Sequence, residues 1–168
     1  VEMALSVLNF TGLTAYFGML EVGRPKPGDV VVVSGAAGAT GSIAGQIAKI
    51  KGCQIIGIAG GTDKCAWLTD VAGFDIAIDY KSERVGRRLR ALAPNGINIF
   101  YDNVGGEILE AALSNLAVEA RIVLCGAISG YNSGGLPAPP RNYMALVWKS
   151  ATMAGFMMSD FSDRYAED

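Results

Sequence analysis

Glycines recur at short intervals in one segment of the chain, which reads Ser-Gly-Ala-Ala-Gly-Ala-Thr-Gly-Ser from residue 34 to residue 42. A valine-rich run precedes the segment and a run of helical periodicity follows it, which predicts a turn between a strand and a helix. Such a turn presents unpaired backbone N–H groups and the positive end of a helix dipole, and both suit a diphosphate. Gly38 would let phosphates approach the backbone, and Gly41 and Gly45 would let the helix pack close to the sheet.

Two other nucleotide-binding motifs do not match this turn. A P-loop requires GxxxxGK[ST], and no lysine lies between Ser34 and Ser42. The turn also departs from the dinucleotide-binding motif GxGxxG, because Ala36 occupies the position of the first glycine. A plain strand–helix turn that binds no nucleotide is therefore the alternative interpretation. Short-chain dehydrogenases carry a downstream Tyr-x-x-x-Lys, but the residues four positions after Tyr80, Tyr101, Tyr131 and Tyr143 are Arg84, Gly105, Gly135 and Val147.

A cation follows the second predicted strand, near the position where NAD-binding proteins carry an acidic residue. The strand ends Ala-Gly-Gly-Thr at 59–62 without a carboxylate, and Asp63 is expected to cap or begin the next helix. Lys64 then falls in the first helical turn, where a positive charge opposes the helix dipole. Neutralisation of an adenosine 2′-phosphate explains this position, so the sequence favours NADP over NAD. A solvated surface lysine is the alternative.

The composition excludes several classes of chemistry. None of the 168 residues is a histidine, which removes Ser-His-Asp and Cys-His nucleophiles and histidine-ligated zinc. The cysteines at 53, 65 and 125 form no CxxC pair, so we expect no metal site and a reducing, cytoplasmic compartment. A net charge of −2 gives no electrostatic case for nucleic acid, and four arginines between 84 and 90 are expected to lie on a solvated helix surface. The apolar runs are too short to span a membrane.

Short β-branched runs alternate with longer segments of helical periodicity along the chain. Several runs are apolar at consecutive positions, as in strands that are buried on both faces of a parallel sheet. The pattern predicts one α/β domain over residues 1–168, a Rossmann-type doubly wound parallel sheet with helices on both faces. Strands are predicted at 30–34, 55–59, 76–79, 97–101, 121–125 and 153–158, and helices at 13–22, 41–50, 63–72, 83–93 and 106–116.

Small residues follow four of the predicted strands, at Gly35, Gly60–Gly61, Gly105–Gly106 and Gly126. In an open α/β sheet the ligand lies across the carboxyl ends of the strands, where the backbone approaches it closely. We therefore expect this edge of the sheet to be the binding edge. The stretch 129–143 has no clear period and is expected to form a long loop beside that edge, either a substrate lid or a surface connection.

Several stretches of the chain match one enzyme family in order and spacing. They are Gly12–Gly18, Ala36–Ser42, Gln46–Lys49, Asp102–Gly106, Cys125–Asn132 and Arg141–Met144. With these stretches the chain resembles the zinc-free medium-chain dehydrogenase/reductases of the prostaglandin reductase, 2-alkenal reductase and bacterial curcumin reductase branch. Family members are longer, so the resemblance implies an NADP-binding domain excised from a two-domain enzyme, without its N-terminal GroES-like catalytic domain and its C-terminal segment.

The resemblance implies NADP(H) as the cofactor and assigns site residues by matching position. The glycine turn would hold the diphosphate, and Lys64 and Tyr80 would contact the adenosine 2′-phosphate. Asn103 would lie beside the ribose or the nicotinamide half. Residues 125–131 would line the nicotinamide, and 156–158 would close that side. The implied cofactor residues are Gly38, Ala39, Thr40, Gly41, Lys64, Tyr80, Asn103, Cys125, Gly126, Ala127, Ile128, Ser129, Gly130, Tyr131, Phe156, Met157 and Met158.

The resemblance implies hydride transfer from NADPH to the C=C bond of an α,β-unsaturated aldehyde or ketone. The cofactor supplies the hydride, so the protein has to orient the reactants and stabilise the enolate oxygen that develops. Tyr131 is the candidate catalytic donor because it follows the strand at 121–125, and packing against substrate or loop is its alternative role. A quinone reductase on the same scaffold and a non-catalytic dinucleotide-binding module stay open. The resemblance also implies a full-length homodimer and an inactive isolated domain.

Overall fold

A computed structural model describes residues 9–131 and 139–165 of the chain. Within these residues six strands form one parallel sheet: β1 Val30–Ser34, β2 Gln54–Ala59, β3 Ile76–Asp79, β4 Ile97–Asp102, β5 Leu116–Leu124 and β6 Thr152–Gly155. Their order across the sheet is β3-β2-β1-β4-β5-β6, so the winding reverses between the two central strands, β1 and β4. In a doubly wound sheet a crevice opens at this reversal, outside the carboxyl ends of the strands.

Helices precede, connect and follow the strands. The first α-helix continues directly as a π-helix at Gly18–Gly23, and two 3₁₀ segments lie at Ile128–Gly130 and Met158–Arg164. No helix in the described ranges is long and apolar enough to cross a membrane. The α-helices are α1 Phe10–Phe17, α2 Ala39–Ile50, α3 Thr62–Asp70, α4 Val85–Leu92, α5 Gly106–Leu113 and α6 Ala145–Trp148.

The sheet separates two hydrophobic cores. Successive side chains of β1 enter opposite cores, with Val31 and Val33 on one face and Val32 on the other, and all three are fully buried. Helices α1, α2 and α3 cover the first face, and α4, α5 and α6 cover the second. Strands buried on both faces account for the consecutive apolar positions in the sequence. The predicted Rossmann-type fold with helices on both faces is confirmed.

The predicted helix at 13–22 differs from the observed element. The α-helical part runs over Phe10–Phe17, and the following turns are π-helical. The change occurs at Gly18, where an added Cβ would lie 2.5 Å from Phe156 Cζ and 2.8 Å from the Tyr101 hydroxyl oxygen. These contacts come from β4 and from the segment after β6, so the local sequence carries no signal for the change in helix type.

Two strand boundaries were also predicted incorrectly. Strand β5 begins at Leu116 rather than at residue 121, and its pairing with β4 shifts register before Arg121. Glu119 has a φ of 59°, a bulge-like conformation within the strand that the sequence does not signal. Strand β6 ends at Gly155 rather than at residue 158, because the Met157 N–H donates to the Asp160 carboxylate at 3.0 Å and begins the next 3₁₀ segment.

Candidate dinucleotide-binding site

A cleft of about 600 Å³ opens at the carboxyl ends of β1, β2 and β4. Its walls include Gly35 and Gly38 after β1, Gly60 after β2, Tyr80 after β3 and Gly105 after β4. The cleft therefore lies over the reversal of strand order, along the edge where small residues predict a binding site. Its volume is in the range that small-molecule and cofactor sites occupy.

The glycine turn after β1 leads directly into α2. Gly38 caps the helix with its backbone alone, and its N–H donates to the Gly35 carbonyl at 3.0 Å. Ser42 donates back to the Gly38 carbonyl at 2.9 Å, so the N–H groups of 39–41 are those that a helix start leaves without an intrahelical acceptor. A Cβ on Gly41 would lie 2.5 Å from the Gly35 carbonyl oxygen, which explains why glycine occupies this position. The turn thus presents backbone donors beside the cleft.

Lys64 and Tyr80 both line this cleft. Helix α3 begins at Thr62 with Gly61 as its cap, so Asp63 is a first-turn residue rather than the cap. Within the described ranges the Lys64 ammonium group forms no hydrogen bond and no ion pair. The Tyr80 ring lies against Gly60, where an added Cβ would be 2.8 Å from ring carbon Cε1. The cleft lining therefore includes a cation without a partner in the described ranges, a phenol and one carboxylate, that of Glu107.

Asp79 supports the wall of the cleft that follows β2, and it is not among the site residues predicted from the sequence. Its Oδ1 accepts hydrogen bonds from the Gly61 N–H at 2.8 Å and the Lys81 N–H at 3.0 Å. These backbone donors, chiefly Gly61, lower the pKa of the Asp79 carboxyl group. The carboxylate fixes the turn that carries α3 and its lysine. An acidic residue that ends an apolar strand is the signal that could have identified it.

Ser34 and Asp102 join the two central turns and were also missed. The Ser34 hydroxyl donates to Asp102 Oδ1 at 2.7 Å and accepts the Asn103 N–H at 2.8 Å. The Asp102 carboxylate also accepts the N–H groups of Val104 and Gly105, each at 3.0 Å. Burial raises the pKa of Asp102, and these hydrogen bonds oppose the rise. Asn103, an implied cofactor residue, donates from its side-chain amide to the Ser34 carbonyl at 2.7 Å.

A second cleft, of about 750 Å³, adjoins the first at Gly105, which lines both. The residues implied for the nicotinamide side divide between the two clefts. Ile128 and Ser129 line the first cleft. Gly130 and Met158 line neither cleft: Gly130 is buried, and the Met158 carbonyl accepts a hydrogen bond from the Tyr165 hydroxyl at 2.8 Å. The implied residues around the second cleft are Cys125, Gly126, Ala127, Tyr131, Phe156 and Met157.

The turn after β5 is attached to the turn after β4. The N–H groups of Cys125 and Gly126 both donate to the Asp102 carbonyl, at 2.9 and 3.1 Å. The Ile128 N–H donates to the Asn103 carbonyl at 3.2 Å. Burial raises the pKa of the Cys125 thiol, as expected for a small core residue rather than a reactive thiolate. The segment implied to line the nicotinamide is therefore held by backbone hydrogen bonds to β4.

Tyr131 stands at the rim of the second cleft, with 69% of its surface exposed. Its hydroxyl oxygen accepts the Ala127 N–H at 3.3 Å, which leaves the hydroxyl proton available to another acceptor. Residues 132–138 of the predicted loop lie outside the described residues, and so does the proposed lid at these positions. The described chain resumes at Pro139, which lines the second cleft together with Pro140.

Arg141 attaches the chain beyond this loop to α5. Its guanidinium donates to both carboxylate oxygens of Glu110, at 3.1 and 2.9 Å, and its backbone N–H donates at 3.0 Å. The side-chain hydrogen bond with Arg141, followed by the backbone hydrogen bond, lowers the pKa of Glu110 from 4.5 to about 2. A carboxyl group with a depressed pKa in the folded state stabilises the fold when it is ionised.

This pair predicts an acid-dependent loss of stability. The free energy of unfolding is expected to fall as the pH decreases from 4.5 towards 2, because the unfolded chain then binds protons that folded Glu110 does not. The Glu110→Gln variant should lose part of this pH dependence in urea titrations. Glu119→Gln is the control, since the Glu119 side chain forms no ion pair within the described ranges. Identical pH profiles for both variants would contradict the prediction.

The residues around the first cleft fit an anionic dinucleotide. Backbone donors at 39–41 and the glycine cradle at Gly38 suit a diphosphate, and Lys64, which has no partner among the described residues, suits a further phosphate. At Gly38 an added Cβ would lie 3.2 Å from the Gly35 carbonyl oxygen, so a larger residue would crowd the cradle. Within the described ranges no three His, Cys, Asp or Glu side chains are grouped to hold a metal ion.

Known proteins are similar in sequence to almost the whole of this chain. The family model described as zinc-binding dehydrogenase matches residues 39–168. The NADPH-dependent curcumin reductase of Escherichia coli is 41% identical over 98% of this chain and 49% of its own length. Prostaglandin reductase 1 of Bos taurus is 42% identical over 94% of this chain and 48% of its own length. The chain therefore spans about half the length of the curated relatives it matches.

A solved structure is similar to this chain in three dimensions as well as in sequence. The crystal structure of CurA from Vibrio vulnificus in complex with NADPH superposes with a TM-score of 0.91 and 44% sequence identity, over 99% of this chain and 51% of that one. The chain belongs to the zinc-binding dehydrogenase family, in the curcumin and prostaglandin reductase branch of the medium-chain dehydrogenase/reductases.

Proposed function

We propose that residues 1–168 are the NADP(H)-binding domain of a two-domain oxidoreductase that reduces the C=C bond of α,β-unsaturated aldehydes and ketones. The observation that carries the proposal is one cleft that is lined by the glycine turn, by Tyr80 and by Lys64, whose ammonium group has no partner among the described residues. The likeness to a curcumin reductase, and to a CurA structure that contains NADPH, supports both the cofactor and the reaction.

Two groups of residues around the first cleft bind different phosphates of the cofactor in this proposal. The N–H groups of 39–41 bind the diphosphate at the start of α2, where the helix dipole favours negative charge. Lys64 and Tyr80 bind the adenosine 2′-phosphate, the group that distinguishes NADP from NAD. Asn103, whose amide is already bonded to Ser34, holds the turn beside the cofactor.

The second cleft would hold the reacting groups. Bound NADPH supplies the hydride for the β-carbon of the substrate. The backbone from Cys125 to Ala127 fixes the floor of this cleft, and Phe156 and Met157 add an apolar wall. The Tyr131 hydroxyl donates a hydrogen bond to the oxygen of the developing enolate, because its own oxygen already accepts the Ala127 N–H.

In the complete enzyme, Tyr131→Phe is expected to lower kcat for an enone about a hundredfold, since the enolate oxygen loses its hydrogen-bond donor. The KM for NADPH should stay within about twofold, because the lost group acts on the substrate. Tyr80→Phe is the contrasting variant, expected to raise the KM for NADPH. Steady-state kinetics measure both, and an unchanged kcat for Tyr131→Phe would remove the tyrosine from the mechanism.

Substrate profiling of the complete enzyme tests the reaction itself. NADPH oxidation would be compared for a 2-alkenal, an aryl enone and a benzoquinone under the same conditions. We expect the largest kcat/KM for the alkenal or the enone, and a clear preference for the quinone would contradict the proposal.

A homodimer of the complete enzyme and a cytoplasmic location are further parts of the proposal. Sedimentation of the complete enzyme tests whether it is a homodimer.

A further inference from the structure

Two fully buried polar side chains connect the central strands where the sheet opens. The backbone pairing of β1 with β4 runs from Val31–Ile99 to Val33–Tyr101 and then stops. Beyond this last pair the connection is made by side chains, because the Ser34 hydroxyl donates to the Asp102 carboxylate at 2.7 Å. The bridge therefore spans the two strands at the point where they separate to form the cleft.

Asp102 extends this bridge to two further turns. Its carboxylate accepts the N–H groups of Val104 and Gly105 in the turn after β4. Its backbone carbonyl accepts the N–H groups of Cys125 and Gly126 in the turn after β5. The carboxylate and its bond from Ser34 thus link the turns after β1 and β4, and the main chain of the same residue links them to the turn after β5. These turns carry the glycine cradle, the wall common to both clefts and the floor of the second cleft.

Packing alone does not explain a buried carboxylate at this position. A buried polar pair has to recover its desolvation cost through hydrogen bonds, and well-packed apolar residues of similar size are often as stable. The neighbouring inward positions of β1 and β4 are apolar, including Val32 and Phe100. What the polar pair provides, and apolar residues cannot, is a set of directional bonds to specific backbone groups of the turns.

We propose that Ser34 and Asp102 are positioning residues that hold the turns after β1 and β4 at the separation at which the chain binds NADP(H). The inference rests on the proposed function, because it assigns the pair a role in cofactor affinity. Neither side chain has to contact the cofactor. Their effect is transmitted through the backbone N–H groups that they hold.

Asn98 provides a matched control within the same pair of strands. Its side-chain oxygen accepts the Val30 N–H at 2.9 Å, so it also joins β1 to β4, across the same sequence separation of 68 residues. The Asn98 bond lies at the amino ends of the strands, at the opposite edge of the sheet from the clefts. Its loss should weaken the sheet without moving the turns.

The test compares Ser34→Ala, Asp102→Asn and Asn98→Ala in this chain. NADP⁺ affinity would be measured by calorimetric titration, and hydrogen exchange at the Val104 and Gly105 amides without cofactor, below the unfolding temperature of every variant. Ser34→Ala leaves the Asn103 N–H without its acceptor, and we expect about tenfold weaker binding of NADP⁺ and about tenfold faster exchange. Asp102→Asn keeps the side-chain shape but replaces one of the two oxygens that accept the Gly105 N–H by an NH2 group, which cannot accept, and it should have the same effects. Asn98→Ala should bind NADP⁺ within about twofold of the unchanged chain.

Two results would overturn the positioning role. One is unchanged affinity and exchange in folded Ser34→Ala and Asp102→Asn, while the unchanged chain still binds NADP⁺. The other is an equal loss of affinity in Asn98→Ala, which would show a general weakening of the sheet. If the unchanged chain binds no NADP⁺, the proposed function fails, whereas the exchange rates still show whether the pair holds the turns. The exchange rates and the binding of the unchanged chain therefore separate the two failures.

Discussion

Replacement of Lys64 by alanine is expected to weaken the binding of NADP⁺ to this chain about tenfold and to leave the binding of NAD⁺ within about twofold. The variant removes a cation that has no protein partner in the described ranges and that lines the cleft beside Tyr80. A charge-assisted hydrogen bond to the 2′-phosphate is the interaction lost, and NAD⁺ lacks that phosphate. The position is exposed, so we expect the lower end of the usual range for such bonds.

Calorimetric titration with both dinucleotides measures the change in preference. Lys51→Ala is the matched control, because Lys51 is another exposed lysine without an ion pair in the described part of the chain. It removes the same charge at the far end of α2, away from the cleft. Equal losses for the two variants would show a general charge effect. An unchanged ratio of NADP⁺ to NAD⁺ affinity in Lys64→Ala would refute the assignment of the 2′-phosphate.

Gly41→Ala is expected to lower the free energy of unfolding by about 2 kcal/mol and the affinity for NADP⁺ more than tenfold. The new Cβ would lie 2.5 Å from the Gly35 carbonyl oxygen and 3.0 Å from Ala36 Cα. Both atoms belong to the backbone of the glycine turn, so neither can rotate away. Either the helix start or the turn has to move, and the donors at 39–41 move with it. Urea unfolding and calorimetric titration measure the two effects.

The control for this variant is Gly86→Ala. Gly86 is the second residue of α4, and its new Cβ would meet its nearest neighbours, Ala111 Cβ at 3.6 Å, Ala111 Cα at 3.9 Å and Asn115 Nδ2 at 4.0 Å, in ordinary contact. Alanine loses less backbone entropy than glycine when it folds into a helical conformation, so we expect a gain of about 0.5 kcal/mol and no change in NADP⁺ affinity. A loss of stability in both variants would mean that general backbone effects, not the close approach at the turn, determine the result for Gly41.

The parts of the fold that local sequence encodes were predictable. Strand β1 was predicted at its observed bounds, because four valines between a proline–glycine turn and a glycine-rich turn mark both of its ends. The order of alternating strands and helices implied the doubly wound sheet. The same logic predicted which turns line the first cleft, since parallel strands bring their carboxyl ends to one edge.

The features that depend on distant contacts were not predictable. Ser34 and Asp102 are 68 residues apart, and only the assembled sheet shows that they form a hydrogen bond. The π-helix begins at Gly18, where an added Cβ would meet Tyr101 and Phe156, and both residues come from distant parts of the chain. Strand β5 begins earlier than its apolar run because its first residue, Leu116, pairs with Ile97 across a register shift. In each case tertiary contacts override the local pattern.

A crystal structure of this chain grown with saturating NADP⁺ would show directly whether the first cleft binds the cofactor. We expect the diphosphate at the N–H groups of 39–41 and the adenosine 2′-phosphate within hydrogen-bonding distance of Lys64 and Tyr80. We also expect the nicotinamide half beside the turn that begins at Cys125. A cofactor bound elsewhere on the chain, or crystals without bound cofactor at that concentration, would contradict this expectation.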